Sequence, residues 1–268
     1  MSTDSPCLRR IPTERITCHI DEQLGAVVTR CAVHPAEDWT HMVHALRAVN
    51  GHEHVEQYLS HSRDPWTVTT RQVASVRSLW SLEDATTALH VLVDSPTHRI
   101  PTAGYRHHCR HAAELAAVRS GAVRAPRHLQ PLIEEAITYL TRIPQDELLV
   151  QHCDPRPDTW VLTAGGPVLT GFHAVAAAPT GWDAGVFLAH LDAHPPVVSA
   201  LATSVDLDWD MVRAVTAWQL GLAHYARMHG YDQQRAWAVR HLPAFTALLE
   251  HVPARNRTRT PPRALTAA

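Results

Sequence analysis

The sequence predicts an α+β protein with two lobes, a small strand-rich one followed by a larger, mostly helical one. Runs of β-branched residues are concentrated before residue 71, and apolar residues recur at helical spacing after it. One stretch breaks the helical pattern, Leu148 to Asp183. It is predicted as an apolar strand, a polar turn, a second strand, a Gly-Gly turn and a third strand.

The chain of 268 residues, 45% of them hydrophobic, is long enough to bury a substantial core in two lobes. We predict a flexible arm at 1–14, the small lobe at 15–71, the helical lobe at 72–252 and a tail at 253–268. The tail is rich in Pro and Arg without periodicity, a composition typical of disorder.

The composition excludes several classes of protein. The net charge is −2 and the Arg residues are scattered, so we expect no nucleic-acid partner. No apolar run approaches the roughly eighteen residues of a membrane span, so we expect no membrane contact. The first residues have no apolar segment of a secretory signal. Five cysteines, an odd number without a CxxC pair, predict reduced thiols in a cytoplasmic protein.

All 24 basic residues are arginine, because the chain contains no lysine. Drift in a GC-rich genome explains such a bias. Whatever its origin, the bias excludes every lysine-dependent step, both a Schiff base and the ammonium contact that kinases make to a phosphate. Histidine, with 21 residues, is unusually frequent, and we interpret most of these as surface or pocket-edge residues.

The small lobe is predicted as two strands, a helix and two further strands. Asp38 is a plausible N-cap of the helix, and Asn50-Gly51 its C-terminal end. One face of this helix is apolar and comprises Trp39, Met42, Val43, Leu46 and Val49. The predicted strands are 15–21, 25–33, 55–59 and 66–70, and the first two are joined by a turn at 22–25.

The large lobe is predicted as a series of helices around the stretch 148–183. Ser81 and Asp84 are suited to cap the first of them, which ends before Ser95-Pro96. Pro195-Pro196 is expected to break the helix that follows the stretch. The remaining predicted helices are 105–119, 127–142, 182–191, from 208 or 210 to 230, and 232–251.

This order resembles the aminoglycoside phosphotransferase family. Three stretches carry the resemblance, and together they span most of residues 25 to 195: His44–Leu59, Val76–Leu92 and Leu148–Asp183. The first is similar to the family's first helix and the strand after it, the second to the segment after the inter-lobe hinge, and the third to the catalytic region. The resemblance implies a two-lobed protein-kinase-like fold with a reduced N-terminal β-rich lobe and a mostly helical C-terminal lobe.

The family's catalytic loop reads H-G-D-x-x-x-x-N, and this chain reads H-C-D-P-R-P-D-T over 152–159. The resemblance implies that Asp154 is the catalytic aspartate, with His152 as the retained loop histidine. The metal-binding asparagine falls on Thr159, and the second metal ligand, an aspartate, falls on His173. Imidazole is a poor ligand for Mg²⁺, which prefers oxygen.

Further family residues are replaced in the small lobe. The phosphate-binding lysine falls on Arg30, whose planar guanidinium is not equivalent to an ammonium. The glutamate that would pair with it falls near Met42, and no GxGxxG loop is present. The cofactor-binding positions implied by the resemblance are therefore Arg30, Thr159 and His173, and no metal ligand set remains.

The preferred interpretation is a degenerate, pseudokinase-like member of the family that binds a peptide or small molecule in the inter-lobe cleft and needs no cofactor. It would support a protein partner or form a homo-oligomer. Ribosomal-peptide modification, where kinase-like subunits of this family act with a lyase-like partner, is one setting. The alternative is an active phosphotransferase that uses ATP or GTP with Mg²⁺. Asp154 would then be the base toward a hydroxyl of an antibiotic, a peptide Ser/Thr or a small metabolite.

Three further features have two interpretations each. His107, His111 and Glu114 share one helical face, which could chelate a transition metal or be a solvated polar face. Cys153 could be a nucleophile, or could pack at the family's glycine position in a tight turn. Asp183 is expected to cap a helix or brace the loop.

Overall fold

In the computed structural model, the described residues are 14–23, 25–32, 37–63, 66–111 and 125–251. The predicted N-terminal arm, apart from Glu14, lies outside these residues, and so does the predicted C-terminal tail. Most of the predicted helix 105–119 also lies outside them, including Glu114.

The small lobe is built on a four-stranded antiparallel sheet of order β1-β2-β4-β3. Its β-branched strands suit a pleated, half-buried surface. The predicted strand 55–59 is wrong in its bounds, because Val55 instead bridges to Leu169 in the large lobe and the strand starts three residues later. The strands are β1 (Glu14–Asp21), β2 (Gly25–Ala32), β3 (Tyr58–Arg63) and β4 (Trp66–Arg71).

Helix α1 (Glu37–Val49) connects β2 to β3. The predicted apolar face is confirmed, since all five of its residues are buried. Asp38 lies inside the first turn and not at the N-cap, a shift of the kind common at helix ends. Gly51, at φ +91°, reverses the chain after the helix in the left-handed region that favours glycine.

Helix α2 (Leu82–Val93) has the predicted cap. The Ser81 hydroxyl accepts from the Asp84 amide at 3.0 Å, and the Asp84 carboxylate accepts from the Ser81 amide at 3.2 Å. Arg77 binds both oxygens of Asp84 at 2.9 and 3.0 Å and donates to the Thr163 carbonyl. This cap therefore also attaches the segment between the lobes to the large lobe.

The large lobe contains a helical core with one helix that was not predicted, α6, which starts at Pro195. The preceding helix already ends at His190, before the Pro pair, and Pro195-Pro196 instead occupies the first turn of the next helix, where a missing N–H costs nothing. In the part of the chain that the structure describes, no helix is long and apolar enough to cross a membrane. The helices are α3 (His108–His111), α4 (Gln130–Arg142), α5 (Trp182–His190), α6 (Pro195–Ser204), α7 (Trp209–His229) and α8 (Asp232–His251).

Two short antiparallel ladders hold the predicted 148–183 stretch. One pairs β5 (Leu148–Gln151) with β8 (Ala176–Pro179), and the other pairs β6 (Trp160–Thr163) with β7 (Gly166–Leu169). The loop at 152–159 therefore connects the two ladders, from β5 to β6. The turn at 170–175 connects them in the opposite direction, from β7 to β8. Both segments are anchored at each end by strands.

The two lobes are joined by main-chain hydrogen bonds. The Glu56 amide donates to the Leu169 carbonyl at 2.9 Å, and the Leu169 amide donates to the His54 carbonyl at 2.8 Å. The His54 ring also contacts the Pro167 carbonyl at 3.0 Å. The segment after α1 thus extends the edge of the β6–β7 hairpin and fixes the small lobe against it.

Candidate functional site

Asp183 fixes the start of the 152–159 loop. Its two carboxylate oxygens each accept a backbone amide, from His152 and from Cys153, both at 2.8 Å. Asp183 itself is held by Gln151, whose side-chain oxygen accepts the Asp183 amide at 3.1 Å. Burial raises the pKa of Asp183 to about 7, against the opposing effect of the two amide bonds. The loop-bracing interpretation of Asp183 is confirmed; the N-cap position belongs to Gly181.

Cys153 occupies the tight turn of the loop. Its φ of +65° places it in the left-handed region, which is strained for a residue with a Cβ. The side chain is buried, and its Sγ lies 3.7 Å from the Ala176 carbonyl. Burial also raises the pKa of the thiol well above its usual value, so the thiolate is not formed at neutral pH. The packing interpretation is favoured over the nucleophile.

His152 has both ring nitrogens engaged within the site. Nε2 lies 3.0 Å from the Thr170 carbonyl, which can only accept, so Nε2 carries the hydrogen. Nδ1 then accepts the Asp154 amide at 3.3 Å. Burial lowers the pKa of His152 to about 3, so the ring is neutral. These contacts make His152 a brace between the loop and the 170–175 turn rather than a proton donor or acceptor for a ligand.

Asp154 forms a two-point contact with Arg156, two residues further along the loop. Arg156 Nε lies 2.7 Å from Asp154 Oδ1, and Nη2 donates to Oδ2 at 3.0 Å. The Asp154 side chain is only 6% exposed, so the carboxylate is buried where it meets the guanidinium. Burial raises the pKa of Asp154, and the Arg156 charge opposes that effect. Sequence reasoning placed Asp154 in the site but missed Arg156.

Thr159 and His173 lie at the two ends of the same region. The Thr159 hydroxyl donates to the Arg156 carbonyl at 2.7 Å and closes the turn of the loop. His173 Nε2 lies 3.9 Å from Asp154 Oδ2, and the ring is 35% exposed. The structure therefore brings Asp154, His173 and Thr159 to one place, but the threonine hydroxyl is used within the loop.

Arg30 contacts the same region through Glu56, a residue that the sequence analysis did not single out. Arg30 Nη1 lies 3.1 Å from Glu56 Oε2 and 3.2 Å from the Thr70 hydroxyl. The other oxygen, Oε1, accepts the Gly171 amide at 2.7 Å, and Glu56 is only 2% exposed. The partner of Arg30 is therefore not near Met42, where the resemblance implies the family's glutamate. The carboxylate comes from the loop after α1. Its distance along the sequence from Arg30 gives no indication that the two residues pair.

The proposed His107, His111 and Glu114 face cannot be assembled from the described residues. His107 is buried and its Nε2 lies 3.2 Å from the Ile143 carbonyl, so it serves the packing of α3 against α4. Glu114 lies outside the described residues, as does the side chain of His111. Within the described ranges, no group of three or more His, Cys, Asp or Glu side chains could hold a metal ion.

Two buried carboxylates of this region are engaged by arginines. A phosphoryl-transfer site needs oxygen ligands for Mg²⁺, a cation on the phosphates and a carboxylate that accepts the hydroxyl proton. Here the carboxylates of Asp154 and Glu56 are each bound by an arginine, and those arginines are the cations nearest to the site positions. The charges of the site are therefore satisfied by one another.

No protein-family profile matches the sequence, and no curated protein sequence matches it. Solved structures do match the fold. The match to an amicoumacin kinase spans 92% of this chain and 88% of the kinase, with a TM-score of 0.60 at 11% identity. A choline/ethanolamine kinase family protein from Mesorhizobium loti covers 91% and 93%, with a TM-score of 0.58 at 15% identity. A spectinomycin phosphotransferase covers 90% and 86%, with a TM-score of 0.59 at 9% identity. The predicted two-lobed kinase-like fold is thereby confirmed.

Proposed function

We propose that this chain is a kinase-like protein without phosphotransferase activity. It binds a peptide or a small molecule in the inter-lobe cleft and supports a partner enzyme. The observation that carries the proposal is the contact of Arg156 with both oxygens of Asp154. A carboxylate held in this way is not available to orient an attacking hydroxyl or to share a Mg²⁺ ion.

The rest of the site supports the same conclusion. Imidazole, the only group that His173 offers at the second metal position, is a poor ligand for a hard cation. Arg30 forms an ion pair with Glu56, and the chain has no lysine that could bind a phosphate. The fold and its braced loop are retained, so the cleft keeps its shape without its metal chemistry.

Nucleotide binding tests the proposal directly. We expect the melting temperature to be unchanged by millimolar ATP or GTP, with or without Mg²⁺. The matched variants are Asp154→Ala and Asp158→Ala, because the Asp158 side chain lies in the same loop but is 71% exposed. A Mg²⁺-dependent shift that vanishes in Asp154→Ala and persists in Asp158→Ala would overturn the proposal.

The second candidate is an active ATP- or GTP-dependent phosphotransferase that acts on a hydroxyl, with Asp154 as the base. The observation that favours it is the intact bracing of the loop by Asp183 and His152, which positions Asp154 from both sides. In this case a substrate would have to displace Arg156 from Asp154. Formation of ADP in the presence of a hydroxylated acceptor, abolished by Asp154→Asn, would establish this candidate.

The partner is tested separately. Co-expression with the enzymes encoded beside this chain in its own genome, followed by size-exclusion chromatography, is expected to give a stable complex. A chain that elutes alone and as a monomer in every such pairing contradicts the support role. It has no bearing on the absence of phosphotransferase activity, which the nucleotide experiment tests.

A further inference from the structure

Four rings meet where the end of α5 packs against α8, and we call them the ring cluster: His190, Trp237, His241 and Phe245. The three α8 residues are spaced by four and so share one helix face. The His190 ring is central: its centroid lies 5.2 Å from that of His241, 5.1 Å from that of Phe245 and 6.0 Å from that of Trp237. No step of the proposed function uses this cluster.

His190 presents a hydrogen-bond acceptor inside the cluster. Its Nδ1 lies 2.9 Å from the Val186 carbonyl, which can only accept, so Nδ1 carries the hydrogen. Burial lowers the pKa of His190 to about 3, which keeps the ring neutral. Nε2 is therefore a lone-pair acceptor. The residue is 5% exposed, and Nε2 has no hydrogen-bond partner among the described residues.

Trp237 presents the complementary donor. Its ring lies at 29° to that of His190, and its Nε1 is buried without a hydrogen-bond partner in the described part of the chain. A buried polar group left unpaired is unfavourable, because it has lost its hydrogen bonds to water without gaining others. A hydroxyl is the simplest group with the chemistry that both atoms require, because its oxygen can accept from the indole N–H and its hydrogen can be donated to the imidazole.

The rim of the cluster is accessible to solvent. The positive charge of Arg156, in the 152–159 loop, helps to lower the pKa of both His190 and His241. Trp237 and His241 are only half-buried. Pro243, which has no N–H for the carbonyl four residues earlier, interrupts the hydrogen bonds of α8 next to His241.

We propose that the ring cluster binds a planar apolar group that carries a hydroxyl, that is, a phenol. The aromatic rings provide stacking surface, and the hydroxyl bridges Trp237 Nε1 and His190 Nε2. The site is additional to the proposed function, since both helices that form it belong to the large lobe. The phenol could belong to a small molecule or to the tyrosine side chain of a peptide.

Titrations followed by ¹H–¹⁵N NMR test the proposal. The indole N–H signal of Trp237 is assigned from its loss in Trp237→Phe. We expect p-cresol to shift this signal saturably. Toluene, which lacks only the hydroxyl, is expected to bind with an affinity at least about ten-fold lower. N-acetyl-tyrosinamide and N-acetyl-phenylalaninamide form the same comparison for the peptide source. A signal that neither phenol moves, or equal binding with and without the hydroxyl, overturns the proposal.

A pair of His190 variants locates the acceptor. His190→Asn keeps a donor near the Nδ1 position for the Val186 carbonyl but removes the Nε2 acceptor. It is expected to lose the preference for p-cresol over toluene. His190→Gln, which returns an amide near the Nε2 position, is expected to recover part of it. An unchanged preference in a folded His190→Asn variant overturns the proposal. If His190→Asn does not fold, the affinities of Trp237→Phe for p-cresol and toluene are measured by calorimetry. This variant must then lose the preference for p-cresol.

The experiment is independent of the nucleotide test. Binding of Mg-ATP through Asp154 would overturn the proposed absence of phosphotransferase activity and leave the phenol site to its own titration. Failure of both phenols would overturn the ring cluster as a site and leave the proposed function unaffected.

Discussion

Arg156 Nε lies 2.7 Å from Oδ1 of Asp154, and Arg156 Nη2 donates to Oδ2 at 3.0 Å. The carboxylate that would act as the base is therefore engaged by an arginine of the same loop. A second buried arginine–carboxylate pair lies across the site, where Arg30 Nη1 is 3.1 Å from Glu56 Oε2. Each carboxylate is buried, and each is neutralised by an arginine.

Removal of Arg156 is expected to destabilise the protein by about 3 kcal/mol, because it leaves the Asp154 carboxylate buried without its ion partner. The double variant Asp154→Asn, Arg156→Met removes both charges and is expected to cost less than Arg156→Ala alone. Urea unfolding at pH 7 gives both free energies. Arg235→Ala, on the exposed side of α8, is the control and should change stability by less than about 0.5 kcal/mol. A double variant as unstable as the single one would contradict the prediction.

Glu56→Gln is expected to reduce stability by about 1.5–3 kcal/mol, the usual range for hydrogen bonds to a charged group. The side chain loses its charge while Arg30 stays in place, and the acceptor for the Gly171 amide is weakened. Glu53→Gln is the matched control, since Glu53 is only three residues away and 84% exposed. Thermal unfolding of the two variants at equal ionic strength checks the difference. Equal effects would show that Glu56 does not couple the lobes.

Cys153→Gly is expected to be close to neutral, because relief of the left-handed backbone strain offsets the lost packing of the thiol. Cys153→Val should be destabilising by about 2 kcal/mol, since a β-branched residue is poorly tolerated at positive φ. With a thiol reagent, Cys18 should react in the folded protein, whereas Cys153 should react only on unfolding. Rapid labelling of Cys153 in the folded protein would restore the nucleophile interpretation.

Stability is expected to fall as the pH drops from about 6.5, because His152 and His190 are held neutral with pKa values of about 3. The unfolded chain takes up protons on these rings that the folded protein does not, at about 1.4 kcal/mol per pH unit for each ring. Asp183, whose pKa burial raises to about 7, acts in the opposite sense between pH 4 and 7.

His190→Asn isolates one of these contributions. Its unfolding free energy, measured in urea at pH 7, 6 and 5, should depend on pH less steeply than that of the parent by up to one proton. The Asp183 contribution is common to both proteins and cancels in the comparison. The same pH dependence in both proteins would show that His190 is not a buried neutral ring in solution.

Local signals were sufficient for much of the fold. The cap formed by Ser81 and Asp84 was readable from sequence because a capping box spans only four residues. The apolar face of α1 and the turn at His152–Asp154 were readable for the same reason, since periodicity and turn chemistry are local. α6 was missed because Pro195-Pro196 was interpreted only as a helix end, although Pro is equally suited to a first turn.

The charge pairing of the site was not readable, because it depends on contacts that the fold creates. Arg156 is two residues from Asp154, but nothing in that spacing says that the guanidinium turns back onto the carboxylate. Glu56 is 26 residues from Arg30 and reaches it from an irregular segment whose position is set by the bridge of Val55 to Leu169. The family resemblance assigned Asp154, His173 and Arg30 to positions of the site. It did not predict which residues each of them contacts.

The junction of the lobes through His54, Glu56 and Leu169 has a consequence for how such a protein can change over time. Its bonds run between main-chain amides and carbonyls, which every residue except proline can supply. Side chains on both segments can therefore be exchanged without detaching one lobe from the other. This chain shares 15% identity or less with the kinases described above and still has their overall fold.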